Sequence, residues 1–432
     1  MIAGLGKAVS AVNCKFRPEN GRMIISRPPK LFGPRHLSRA SRQANKILAQ
    51  LAAAYIAKDF RRYKYLITKY FQSHDARCLA VFKGYKALPR NRRRGLKNNL
   101  PNIAKSLNCR SGSDEEVVVR TKKKGEDDYR LVLDFGIVNR ARQYLVERVI
   151  AATADLHPEQ YLTRGGVPAA IKRLAALMLD GYEYAIETDI KQCYPSFSAE
   201  NMHTALSLPK EVIDNVIMAR GYNLVPGQSL IHLYGPTADD EGDQFTLAEK
   251  LVEARRGIPH GSAVASLAVE VLLAPVMKAL PSVAIVPSYA DNMLTMAKTE
   301  EDALSVTQAM WSALIGHPVG PLTPSNRGEY GPGDTINFLG HRLRQVGPKV
   351  QITPSEENEA EFHLEFKQRL SKVKESTATL TVRRARARDL KRYISSWTGS
   401  FSCCVGIQDR KKVHLAKVDA ALAMSGMSYN EV

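Results

Sequence analysis

The sequence predicts an α+β fold in which helices lie on one face of an antiparallel sheet. Three observations predict it. Between residues 184 and 352 the signals run strand, helix, hairpin, helix, strand, an order that suits such a sandwich. Elsewhere apolar residues recur at spacings of three and four, the period of amphipathic helices. The chain has 432 residues, 44 % of them hydrophobic and 24 % charged, the composition of a globular protein. This length allows roughly two to three domains, and no internal repeat is visible.

The elements follow in order. Residues 1 to 45 are rich in Pro, Arg and Gly and read as an extended basic arm. One or two amphipathic helices occupy 44–71. A basic linker at 83–105 contains Arg90, Arg92, Arg93 and Arg94; it reads either as a track for phosphates or as a solvated loop. Segments 117–120 and 129–133 are strands of a hairpin with a charged tip, TKKKGEDD. Helices follow at 139–154 and 167–179. A strand at 184–190 ends in an acid, and 263–280 is a long apolar helix. Strands at 284–288 and 294–297 flank a tight turn, a helix covers 299–315, and further strands lie at 335–345 and 349–352. The tail from Glu361 is helical and ends in TVRRARARDLKRYISSW. There Arg383, Arg384, Arg386, Arg388, Lys391 and Arg392 surround most of the helix, which excludes an ordinary core role. Such a helix lies against a nucleic-acid backbone or simply in solvent.

Charge narrows the partners. Sixty-two Lys and Arg against 43 Asp and Glu leave +19, enough to concentrate around a polyanion. Nucleic acid comes first and an acidic membrane surface second. The longest apolar stretch is interrupted by Glu270 and Lys278, so no membrane crossing is expected. The N-terminal residues lack the apolar core and cleavage site of a signal peptide, and a cytoplasmic location is expected. Cys14, Cys78, Cys109, Cys193, Cys403 and Cys404 show no C-x-x-C spacing, so neither a zinc ribbon nor a disulfide framework is encoded.

Three segments carry candidate chemistry. Asp189 ends a strand in ETDIKQCYPSF; alone, it reads as a turn cap. Tyr289, Ala290, Asp291 and Asn292 sit between two apolar strands; alone, Asp-Asn suits a tight turn. Between them RGIPHGS leads into the apolar helix, where two Gly and a Pro let backbone approach a ligand; alone, it is a loop-to-helix junction. Together they change the reading. Two aspartates at adjacent strand tips are what a pair of Mg²⁺ ions needs to activate a 3′-hydroxyl and steady a leaving pyrophosphate.

In order and content these segments resemble the reverse transcriptase family. ETDIKQCYPSF resembles its first catalytic block, RGIPHGSAVAS its G-x-P-Q-G block, YADN its YxDD hairpin and INFLGHRL the strand pair that grips the primer. RLVLDFGIVNRARQ resembles the fingers block, and YLTRGGVPAAIKRL the segment over the template. The likeness runs over residues 117–343, roughly half the chain. It implies a right-hand polymerase: a basic arm and helical extension at 1–115, fingers at 116–180, a ferredoxin-like palm at 181–345 and a helical, basic thumb at 346–432.

The resemblance also implies roles. Asp189, the Ile190 carbonyl and Asp291 would hold two Mg²⁺, with Mn²⁺ as a substitute, and Tyr194 would exclude a ribose 2′-hydroxyl. Arg130 would clamp the triphosphate, its fork matching phosphate oxygens; Arg140 would do the same or pair with a palm carboxylate. His260 and Gly261 would lie under the incoming nucleotide, although a buried structural histidine is an equal reading of His260. Arg164 would meet the template. There are departures: Asn292 replaces the second Asp of YxDD, His260 the usual Gln, Ala265 and Ser266 the customary Ser-Pro, and Arg327 a pyrophosphate-protonating Lys. An arginine there stabilises charge better than it donates a proton.

The implied activity is RNA-directed DNA synthesis from dNTPs on an RNA template. No RNase H cluster, endonuclease motif or zinc knuckle is visible, so the chain is most similar to compact stand-alone bacterial enzymes, retron-related or of the unknown group tied to antiphage defence. A dedicated noncoding RNA, a second subunit or further copies of the chain are the partners this implies. Alternatives are a catalytically degenerate RNA-binding scaffold, a retron or group II intron-like enzyme, and an RNA-dependent RNA polymerase.

Overall fold

The computed structural model describes residues 18–19, 22–23, 32–123, 129–235, 246–375 and 377–423. Its chain opens on helices α1 (Pro34–Ile56), α2 (Phe60–Gln72) and α3 (His74–Ala87). The Asp59 carboxylate accepts the Arg62 N–H at 3.0 Å and the Ser73 hydroxyl accepts the Ala76 N–H at 3.3 Å, so side chains cap two of the three starts. The arm expected to reach residue 45 is corrected here. Pro34 opens a helix, the position that tolerates a missing N–H, and Ala40, Ala44, Leu48 and Leu51 form its buried stripe. Most of the expected arm lies outside the described residues.

The expected basic linker at 83–105 is also corrected. It is wound into α3 and short turns at Arg90–Arg93, Leu96–Asn99 and Leu100–Ser106, with Leu88, Leu100 and Ile103 buried. Arg92 pairs with Asp134 at 2.7 Å, and Arg93 donates to the Leu88 carbonyl at 2.7 Å. Two of its four arginines therefore serve the fold.

Strands β1 (Glu116–Lys123) and β2 (Tyr129–Asp134) form the hairpin, with residues 124–128 of its charged tip outside the described residues. Helices α4 (Ile137–Thr153) and α5 (Gly166–Leu179) follow, then β3 (Tyr184–Lys191). Strand β4 (Asn223–Pro226), unforeseen in the sequence, pairs parallel with β1. Next come α6 (Ala265–Ala279), β5 (Ala284–Ile285), β6 (Ser288–Tyr289), β7 (Asn292–Ala297), α7 (Glu300–Ile315) and β8 (Thr323–Tyr330). The central antiparallel sheet runs β8, β3, β7, β5, with β6 also on β7. Strand, helix, hairpin, helix, strand in this spatial order is a split βαβ arrangement.

Alternation along β3 sorts its side chains. Ile186 and Ile190 enter the large core with α6, α7 and the N-terminal helices, while Ala185 faces the other way. Helices α6 and α7 thus cover one face as expected, but the opposite face is not bare. Helix α5 packs there through Ile171 and Leu174, together with a second sheet of β9 (Ile336–Phe338), β10 (His341–Val346) and β11 (Lys349–Pro354). Strand β4, beyond the limit expected at 180/181, joins the hairpin, and the limit expected at 345/346 falls within β10.

Helices α8 (Glu356–Lys374), α9 (Leu380–Ser400) and α10 (Ile407–Ala423) share their own core of Phe362, Phe366, Leu390, Ile394 and Val418. This corrects the reading of α9 as cationic on nearly all sides. Ala387, Leu390, Ile394 and Thr398 are buried along one stripe, and most of the cations are spent locally. Arg383 donates to the Val373 carbonyl at 2.8 Å, Arg386 pairs with Glu375, Lys391 with Asp419 at 2.5 Å and Arg392 with Asp389 at 2.7 Å. Arg384 and Arg388 make no ion pair among the described residues. No helix among the described residues is long and apolar enough to cross a membrane.

Leu390→Ala should cost about 2–5 kcal/mol, whereas Arg388→Ala should stay within about 0.5 kcal/mol. Urea denaturation of both variants checks this, and equal small losses would show that α9 is not a core helix.

Candidate active site

Pairing of β3 with β7 ends at Thr188 opposite Met293, so Asp189 stands one step further along, beside the turn that carries Asp291. That turn is strained. Ala290 has φ 55°, a left-handed conformation that a non-glycine residue holds only when its surroundings enforce it. Glu270, the one carboxylate inside the apolar helix α6, is buried nearby. One of its oxygens accepts the Leu162 N–H at 2.9 Å. Burial raises its pKa, while the Leu162 and Ala290 amides favour its ionised form. On the preceding strand the Ser288 N–H donates to the Glu159 carbonyl at 2.8 Å, and the Tyr161 N–H donates to the Ser288 carbonyl at 3.0 Å.

Strand β8 flanks β3 on its other side, and its register slips between Asn326 and Gly328. The extra residue is Arg327. A bulge re-aims a side chain, and here the guanidinium reaches Asp189: Nε and Nη2 both donate to Oδ2, at 3.1 and 2.5 Å. Glu187 lies on the same face of β3 two residues earlier. Its pKa is raised first by burial and then by Asp189, with Arg327 opposing.

The floor comes from the turn after β3. Gln192, at φ 47°, leads into the single turn Cys193–Ser196. The Tyr194 ring lies 4.5 Å from that of His260, and its hydroxyl is 3.3 Å from Ser266 Oγ. Burial, helped by Asp291, pushes the Tyr194 phenol well above its ordinary range, so it stays neutral. The glycine-bounded loop is wedged between this floor and the hairpin. At Gly257, φ 58°, a Cβ would lie 2.1 Å from the Tyr194 carbonyl, which accepts the Ile258 N–H at 2.9 Å. At Gly261, φ 94°, a Cβ would lie 2.5 Å from the Leu133 carbonyl, while the Leu133 N–H donates to the His260 carbonyl at 2.9 Å. Neither position accepts a side chain.

These parts enclose a cavity of about 580 Å³ lined by Arg130, Asp189, Ile190, Tyr194, His260, Asp291 and Arg327 among others. Seven of the residues predicted from sequence therefore meet in one place. The others do not line it. Arg140 donates to the Phe135 carbonyl at 3.0 Å and lies 3.6 Å from Asp134, a hairpin carboxylate. Asn292 begins β7 and donates to Asp291 at 3.4 Å, Gly261 abuts the hairpin, and exposed Arg164 donates to the Leu156 carbonyl at 3.4 Å. Arg383, Arg384, Arg386, Arg388, Lys391 and Arg392 belong to the C-terminal helices.

The sequence reading missed Lys191 and Arg256, which add positive charge to the lining; both were inside the quoted motifs. It also missed Glu187 and Glu270. The oxygen donors present suit a hard divalent cation. Asp189 and Asp291 supply carboxylates, and Ile190 stands opposite Pro324, which has no N–H to offer its carbonyl. Cys193 does not compete: burial, then Asp291 and Asp189, raise its thiol well above the ordinary value and keep it protonated.

No family model and no curated protein matches the chain. Among solved structures it is similar to a telomerase from Candida albicans, solved in complex with a fragment of telomeric RNA, at a TM-score of 0.34 and 10 % identity. The match covers 84 % of this chain and 63 % of that one, so the chain spans less than two thirds of that neighbour. The functional reading rests on the cavity alone.

Because the folded Glu187 binds its proton more tightly than the unfolded chain does, its contribution to stability falls as pH rises above the ordinary value of 4.5. Glu187→Gln should raise Tm by about 1–2 °C at pH 7–8 and leave it unchanged near pH 4. Thermal melts across that range test the sign.

Proposed function

We propose that this chain is an RNA-directed DNA polymerase, with fingers, palm and thumb built from the hairpin region, the central sheet and the C-terminal helices. One observation carries the reading. Two aspartates remote in sequence meet at one cavity whose floor is the paired rings of Tyr194 and His260 and whose rim is cationic.

The donor set fits two Mg²⁺, with Mn²⁺ as a substitute, held by Asp189, Asp291 and the Ile190 carbonyl. When bound, the ions supply activation of a primer 3′-hydroxyl and neutralisation of the leaving pyrophosphate. The chain's own residues do the rest. Arg130, which makes no ion pair among the described residues, binds the triphosphate by its fork. Tyr194, pinned by Ser266 and His260, closes the space a ribose 2′-hydroxyl would need and selects dNTPs. Arg327 neutralises Asp189 and turns to phosphate charge when substrate enters. Arg384 and Arg388 remain for nucleic-acid phosphates. The biological setting we propose is that of a compact stand-alone bacterial enzyme, acting in the cytoplasm in antiphage defence on an RNA template.

A second reading is favoured by Asn292 and by the Arg327–Asp189 pair, which together leave the centre with less negative charge: a degenerate polymerase that binds RNA as a scaffold or as the inactive partner of another subunit. Primer extension with RNA template, dNTPs and Mg²⁺ separates the two. As an enzyme, the chain should incorporate dNTPs, lose at least about a thousandfold in Asp189→Ala or Asp291→Ala, and accept rNTPs in Tyr194→Ala. A silent wild type with an active Asn292→Asp variant would establish the scaffold instead. Arg384→Ala and Arg388→Ala should each reduce the slope of log affinity for RNA against log salt by about 1, as filter binding would measure.

A further inference from the structure

Outside the cavity lining, His341, Cys403 and Cys404 bring three ligand atoms within 4.8 Å of one another, and no other such His, Cys or carboxylate trio occurs among the described residues. His341 begins β10 and is 1 % exposed. Its Nδ1 lies 2.9 Å from the Leu339 carbonyl. A carbonyl only accepts, so Nδ1 carries the proton and Nε2 presents its lone pair. That nitrogen is buried with no hydrogen-bond partner. A histidine held through one nitrogen by a carbonyl, with the other unpaired and two cysteine sulfurs near the ring, is the arrangement of a metal ligand.

Both sides of the trio are held in place. Leu339 and Gly340 form a two-residue turn with φ 48° and 74°, and the Gly340 carbonyl accepts the Ser355 N–H at 2.8 Å. The turn bearing the cysteines is tied to β11 by the Val405 N–H, 3.0 Å from the Ile352 carbonyl. A disulfide between Cys403 and Cys404 is the competing use, and geometry opposes it. Adjacent Cα atoms are about 3.8 Å apart, below the usual disulfide range of about 4.4–6.8 Å, and it would leave Nε2 without a purpose.

We propose that His341, Cys403 and Cys404 bind one Zn²⁺, stapling the β9–β10 turn to the α9–α10 connection. Zinc takes sulfur at about 2.3 Å and nitrogen at about 2.0 Å in a tetrahedron, so the three atoms need close by only about an ångström. Cys404 and His341 are buried and Cys403 is partly exposed, which leaves the fourth position open to water. The proposal is independent of the polymerase reading.

The test is Co²⁺ titration of the full, chelator-stripped chain under a non-thiol reductant, followed by Zn²⁺. One equivalent of Co²⁺ should produce a thiolate-to-cobalt charge-transfer band, one equivalent of Zn²⁺ should bleach it, and Zn²⁺ should raise Tm. Cys403→Ser, which leaves one thiolate, should lower the band to about half or less; its partly exposed position keeps that variant folded, as circular dichroism will check. His341→Gln should weaken binding at least about tenfold. The Asp189→Asn/Asp291→Asn variant should keep the band. No band in the wild type, an undiminished band in Cys403→Ser, or a band lost with the aspartates would each overturn the proposal.

Discussion

Everything at the cavity depends on the register between β3 and β7. With a side-chain period of two, Ile186, Thr188 and Ile190 point to one face and Glu187 and Asp189 to the other. A one-residue slip would bury Asp189 among leucines and expose Ile190. The register is locked on the core side, where Trp311 of α7 donates to Thr188 Oγ1 at 3.0 Å and Ile186 and Ile190 fill the large core. The apolar face fixes the position of the carboxylate on its far side.

Charge organises the other half of the site. Asp189 lies between the Arg327 guanidinium, which pairs with it, and the Glu187 carboxyl, whose ionisation it opposes. An aspartate facing only other acids would repel its neighbours and strain the strands. The bulge at Arg327 supplies a counter-charge without a helix or a ligand, and being exposed it can move when something better arrives.

Much of this was legible in the sequence, for identifiable reasons. Asp189 and Asp291 were found because each follows apolar alternation, the most reliable strand signal. Strand β8 was not found because TPSNRGEY has no apolar alternation, only a terminal Tyr330, to mark a face; it exists by pairing with β3. Helix α9 was misjudged because its arginines outnumber Ala387, Leu390 and Ile394, and the helical spacing of those three outweighs the charge count once α8 and α10 supply a core. Glu270 looked like an interruption in an apolar run, yet its carboxylate holds the Leu162 amide. The grouping of His341 with Cys403 and Cys404 was invisible, since no local spacing encodes a contact made by the folding of the C-terminal helices onto the second sheet.

The Leu133 amide and the His260 carbonyl tie the hairpin to the glycine-bounded loop. Gly261 lies flush against the same hairpin residue, so a methyl group added there would have to push the hairpin away from the loop that carries the His260 ring.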